Sequence, residues 1–175
     1  SSPPGGGEGR VRGRGQGEGE ALASAIRRHL PAEVRVGVDL VEVAQLRARF
    51  EGRDGLLREV FTPREVEYAM GQRRPWLHLA ARFAAKEAAF KAIGCGVTRG
   101  VAWHDVEIRR DEAGEPRLAV SGETARRAAA LAVTRFAVSL SHGPRYAVAV
   151  VIGQSGLVGS GLAITHPPEM LDCKT

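Results

Sequence analysis

The sequence predicts an α+β fold, an antiparallel sheet packed on a long buried helix. Three observations carry this reading. Residues 34–41 and 136–141 alternate apolar with small or polar side chains, the two-residue period of a strand. Residues 145–152 return as a neighbouring strand after the turn-forming His142-Gly143-Pro144. Residues 75–93 read as a helix with Leu79, Phe83, Phe90 and Ile93 on one stripe and Ala81, Ala85, Ala88, Ala89 and Ala92 on the opposite arc. A helix apolar on both sides belongs inside a fold, and an all-alanine arc admits a close neighbour.

The other elements follow in order. Residues 1–19 are dominated by Gly, Arg and Glu and bury too little to offset their ordering entropy, so a disordered lead is expected; its Arg10, Arg12 and Arg14 are diluted by nearby acids. Residues 20–30 suggest a short amphipathic helix stopped by Pro31. The main domain starts at Val34. In its first strand Val34, Val36, Val38 and Leu40 make one apolar face, while Asp39 lies on the other. Asp39 is open to a second reading as the cap of the next helix, with Glu42 as its box partner. That helix, residues 43–51, turns Val43, Leu46 and Phe50 inward and leaves Arg47, Arg49 and the following Arg53 outward.

Thr62-Pro63-Arg64-Glu65 is a strong helix start, with a capping threonine, proline at the first helical position and glutamate at the third. This short helix runs to about Gly71, and Gly94-Cys95-Gly96 ends the long one. Residues 103–110 read as a strand, 111–115 as a turn and 116–120 as the hairpin partner. Residues 122–132 form an alanine- and arginine-rich helix, and a flexible tail is expected after Gly153. The organisation is thus an extension over 1–33, a domain over 34–153 and a tail over 154–175.

The 175 residues are 43% hydrophobic but only 5% aromatic, so the core is built mainly from Ala, Val and Leu. A net charge of +5 favours an acidic partner without choosing among phosphates, nucleic acid and acidic protein. Cys95 and Cys173 match no metal spacing and suit a reducing compartment. No apolar run is long enough for a membrane span and no signal-peptide core is visible, so a cytoplasmic protein is expected. There is no Walker A pattern.

Three charges stand at special places: Asp39 in an apolar strand, Glu87 within the buried helix and His142 at a strand end. Arg82, Lys86 and Lys91 share the helix with Glu87, and charges in such a setting need one another, a ligand or a metal. Two carboxylates among basic side chains match a magnesium-phosphate site, where magnesium takes one or two carboxylates plus phosphate and water. Plainer readings stand beside this. Glu87 and Lys91 at i, i+4 are also spaced for a surface ion pair, and His142 for a structural histidine.

The motifs Gly37-Val38-Asp39-Leu40-Val41-Glu42-Val43, Phe61-Thr62 with Glu65, Arg82-Phe83-Ala84-Ala85-Lys86-Glu87-Ala88 with Lys91-Ala92, Asp105-Val106-Glu107-Ile108 with Gly114 and Pro116, and Ser139-Leu140-Ser141-His142 before Tyr146-Ala147-Val148-Ala149 resemble, in that order, a holo-acyl-carrier-protein synthase. This is the small bacterial branch of the phosphopantetheinyl transferases, and the resemblance spans about residues 34–152. It implies that fold, and transfer of the phosphopantetheine arm of coenzyme A to a serine of an apo acyl carrier protein with release of adenosine 3',5'-bisphosphate. It also implies a magnesium ion on Asp39 and Glu87, Glu87 or a metal-held water as base, and phosphate contacts from Lys91 and His142, with Arg82 and Lys86 as weaker candidates. A homotrimer with its site between subunits is implied too, as is an acidic carrier meeting Arg47, Arg49 and Arg53. Val41 stands where the larger, pseudo-dimeric branch has a second acid, so water would complete the metal shell. Two alternatives remain: a coenzyme A or nucleic-acid binding protein without catalysis, although no stacking platform supports nucleic acid, or one piece of a larger synthase.

Overall fold

The computed structural model describes residues 34–97 and 100–155; the expected disordered lead, the 20–30 helix and most of the tail lie outside the described residues. Its elements are β1 (Val34–Glu42), α1 (Val43–Phe50), α2 (Asp54–Val60), α3 (Pro63–Met70), α4 (Pro75–Ile93), a 3-10 turn at Trp103–Asp105, β2 (Val106–Arg110), β3 (Pro116–Val120), α5 (Gly122–Ala130), β4 (Val133–His142) and β5 (Tyr146–Ser155). The strands form two antiparallel sheets: β1, β5 and β4 in that spatial order, and the β2–β3 hairpin.

The α+β reading therefore holds, with the single expected sheet divided in two. Several boundaries moved for local reasons. The strand expected from residue 103 begins at Val106, because Trp103–Asp105 close a 3-10 turn. Helix α5 stops at Ala130, and Ala132 takes a left-handed φ of 56° that leads into β4. Strand β5 continues past Gly153 to Ser155, paired with both neighbours there. Helix α2 was not anticipated; its seven residues are too short for a helical period to show.

Helix α4 runs over the span its pattern indicated, and Gly94 caps it at a left-handed φ of 73°. Its apolar residues are buried on nearly every side. The N-terminal half packs with α1, α2 and α3, and the C-terminal half with both sheets. Thr62 caps α3 as read, its hydroxyl accepting from Glu65 N while the Glu65 carboxylate accepts from Thr62 N at 2.9 Å.

The alanine arc meets β1 at Gly37. A Cβ there would stand 1.8 Å from the Ala88 carbonyl oxygen and 2.8 Å from Ala92 N, so only glycine admits the helix this close. This contact decides which face of β1 turns inward. Gly37, Asp39 and Val41 face α4, while the apolar face of Val34, Val36, Val38 and Leu40 is 50–63% exposed.

Gly37→Ala is accordingly expected to destabilise the domain by about 3 kcal/mol or more. Gly55→Ala, in open space on α2, is expected to be neutral or slightly stabilising. Urea midpoints of the two variants check this pair; a tolerated Gly37→Ala would contradict the close approach.

Candidate active site

Two clefts lie along α4. The first is lined by Asp39, Glu42, Gln45, Arg49, Phe83 and Glu87, with residues of β1 and α1 between them. Asp39 reaches it because it shares the inward face of β1 with Gly37, in register with Ala149 of β5. It caps no helix. Strand β1 runs on to Glu42, which is the N-cap of α1 without a capping bond and instead accepts from the Gln45 side chain at 2.7 Å.

Lys91 bridges the two elements. Its Nζ donates to Asp39 Oδ1 at 2.7 Å and to the Val38 carbonyl at 3.2 Å. The ion pair thus runs across to the strand and not along the helix to Glu87. Glu87 is half-buried one turn earlier, and its carboxyl is pushed above the ordinary glutamate range. Burial is the largest cause and the Asp39 charge the next, outweighing the relief from Lys91 and Arg49.

Asp39 and Glu87, two carboxylates lining one cleft, form a donor set suited to a hard cation. Among the described residues no cluster of three or more metal-ligating side chains occurs. The arrangement suits magnesium, which keeps water and substrate oxygens beside one or two carboxylates, better than a cation needing a closed protein cage.

The second cleft, about 220 Å³, holds His142 with Tyr68, His78, Arg82 and Arg110. The His78 and His142 rings meet edge to face at 5.0 Å. The Arg82 guanidinium lies 4.1 Å over the Tyr68 ring and donates to the His78 carbonyl at 3.3 Å. Its Nε is buried without a partner, a polar atom that an anion would satisfy. Burial, then the charges of His142, Arg82 and Arg110, push the His78 pKa down. Tyr68, His78 and Arg110 were not singled out from the sequence. Only His78 left a signal there, one helical turn before Arg82.

The predicted residues thus divide. Asp39, Glu87 and Lys91 come together, as do Arg82 and His142, but no described residue lines both clefts. His78 and Glu87, nine residues apart on α4, are separated by about 13 Å along its axis.

Lys86 belongs to neither. Its side chain is fully buried, its Nζ lying 2.9 Å from Glu65 Oε2 and donating to the carbonyls of Trp103 and Val106. All three ammonium donors are used inside the protein, so the expectation that Lys86 meets substrate phosphate is replaced by an internal role. Neighbours on a helix point about 100° apart, so Lys86 faces inward where Glu87 faces the first cleft.

The basic residues after β1 are exposed as expected. Arg47 pairs with Glu51 at 2.7 Å, Arg49 lies on the rim of the first cleft, and Arg53 donates to the Arg49 carbonyl at 3.3 Å.

Residues 35–151 match the family model of the 4'-phosphopantetheinyl transferase superfamily. The chain belongs to that superfamily. Among curated relatives, the holo-[acyl-carrier-protein] synthase of Geobacter sulfurreducens is 44% identical over 117 residues, covering 66% of this chain and 93% of the relative. That of Streptomyces avermitilis is 44% identical over 121 residues, covering 69% and 97%. Among solved structures, a Chronobacterium ammoniagenes ACPS–CoA complex superposes with a TM-score of 0.62 at 28% identity, covering 71% of this chain and 98% of that one. A Bacillus anthracis holo-(acyl-carrier-protein) synthase in complex with CoA (3',5'-ADP) gives 0.59 at 31%, covering 72% and 100%. The expected fold and family are borne out.

The raised Glu87 carboxyl has a consequence for stability. Its folded pKa lies above its unfolded value, so the charged form is penalised in the folded state at neutral pH and the penalty vanishes once both states are protonated. Glu87→Gln is therefore expected to raise the melting temperature at pH 7.5 by a few degrees, and by less as pH falls through the glutamate range. Thermal melts of both forms at pH 4.5 and 7.5 check it.

Proposed function

We propose that this protein transfers the phosphopantetheine moiety of coenzyme A to a serine of an apo acyl carrier protein, giving the holo carrier and adenosine 3',5'-bisphosphate. The observation that carries this is the meeting of Asp39 and Glu87, 48 positions apart in the sequence, in one cleft beside Lys91 and Arg49. The membership of the superfamily supplies the reaction class.

In this reading Asp39 and Glu87 hold a magnesium ion, which when bound neutralises the coenzyme pyrophosphate. The carrier serine hydroxyl attacks the phosphorus nearer the pantetheine, and the bond to the departing adenosine bisphosphate breaks. Glu87 or a metal-held water would take the serine proton. Lys91 offers an ammonium to the same phosphates. Arg82, with its unpartnered Nε, and His142 bind a coenzyme phosphate in the second cleft.

No described residue lines both clefts, and the apolar face of β1 is exposed. Both features support a homotrimer in which one copy's His142 comes to its neighbour's Asp39 and Glu87. Native mass spectrometry of the full chain reads the copy number, three being expected. The exposed Arg47, Arg49 and Arg53 beside the first cleft suit an acidic carrier, recruited through long-range attraction. Among the described residues no helix is long and apolar enough to cross a membrane, and we place the protein in the cytoplasm, serving fatty-acid or polyketide synthesis.

Incubation with coenzyme A, magnesium and a panel of apo carriers, followed by intact mass of each carrier, tests the proposal. One carrier should gain the mass of phosphopantetheine. Asp39→Ala and Glu87→Ala should reduce transfer by about a thousandfold or more while the fold persists, a loss comparable to removing a principal electrostatic group. Normal turnover by either variant would refute the metal assignment. Charge reversal at Arg47 and Arg53, which line neither cleft, should raise the KM for the carrier while leaving that for coenzyme A unchanged.

A further inference from the structure

The Lys91 ammonium is already committed within the folded chain. Both of its acceptors lie on β1: Asp39 Oδ1 at 2.7 Å and the Val38 carbonyl at 3.2 Å. The side chain is about half exposed, and its four-carbon stem is flexible, so the ammonium can leave Asp39 without moving helix or strand. The Asp39 carboxylate, by contrast, is only 16% exposed and is held on a strand paired with β5. Its oxygens are thus a scarce resource, and Oδ1 is already taken by a cation of the protein's own.

We infer that the Lys91 ammonium and a divalent cation compete for Asp39, so that the arriving cation turns Lys91 towards a coenzyme phosphate and the two ligands bind cooperatively. This rests on the magnesium reading of the site. The charge count makes the exchange self-consistent. Asp39 and Glu87 carry at most two negative charges between them, which one divalent cation balances. An ammonium left on Asp39 would then be repelled by that cation and drawn to the pyrophosphate. Conversely, a phosphate that draws Lys91 away uncovers Asp39 for the cation. Linkage requires each ligand to tighten the other by the same factor. Before either arrives, Lys91 keeps the acid pair from standing uncompensated across the α4–β1 contact.

The test uses the full chain and titrates Mn2+ by the electron paramagnetic resonance of the free ion, with and without coenzyme A. Lys91→Met should bind Mn2+ about five- to tenfold more tightly than the parent protein in the absence of coenzyme, because a competing charge is gone. Coenzyme A should tighten Mn2+ binding by a smaller factor in Lys91→Met than in the parent. Lys91→Arg, which keeps the charge, should return both values towards the parent. Mn2+ binding by Lys91→Met that is equal to or weaker than the parent's would overturn the exchange and leave Lys91 as a strap between helix and strand. Melting temperatures measured alongside identify that role, since a strap would lower stability without tightening the metal. Asp39→Ala separates the two claims: if it binds Mn2+ as the parent does, the metal reading itself falls, whatever Lys91 does.

Discussion

The structure depends on one close approach, that of β1 to the middle of α4 at Gly37. With no side chain on the strand and alanines on the helix, the two backbones come nearer than any larger pair would allow. The consequence is geometric. A residue two places after Gly37 on the strand and one adjacent to Ala88 on the helix are brought to the rim of the same seam, and these are Asp39 and Glu87. Burial first, and then the Asp39 charge, penalise the ionised Glu87 carboxyl, a local instability that the apolar packing around α4 sustains.

A second constraint sets the rotation of α4 about its axis. Lys86 and Glu65 meet fully buried, and Glu65 also accepts from Ile108 N at 2.9 Å while closing the cap of α3. One carboxylate and one ammonium thereby tie α3, α4, β2 and the 3-10 turn together. Buried pairs of this kind add little net stability against an apolar replacement, but breaking one partner leaves a stranded charge. Their effect here is directional: with Lys86 drawn inward, Glu87 is turned to the cleft. The same tie places Tyr68 of α3 under the Arg82 guanidinium, which shapes the second cleft.

The division of the basic and acidic groups between two clefts changes how the chain is to be understood. A single copy presents the carboxylates of Asp39 and Glu87 in one cleft and Arg82 and His142 in another, with a broad apolar strand face exposed. Burying that face against another copy is favourable by the usual area argument and does not disturb the α4 contact, which uses the opposite face of the strand. Arg49, the one arginine among the described residues lining the first cleft, remains exposed.

The sequence by itself determined the long helix, its alanine arc and its glycine end, the capped start of α3, the paired strands and the candidates Asp39, Glu87, Lys91, Arg82 and His142. These are legible because periodicity and capping act over a few residues. The direction in which β1 faces was decided only by tertiary structure, since its Val-rich side looks like the inner one until Gly37 meets Ala88. Likewise, nothing local separates Lys86 from Lys91: both are lysines on one apolar helix, and only the position of Glu65, 21 residues earlier, makes one internal and leaves the other to Asp39. The second cleft was hidden for the same reason. Tyr68, His78, Arg110 and His142 come from four elements, and charges so far apart in sequence acquire a common site only when the packing of α4 against both sheets brings them within reach.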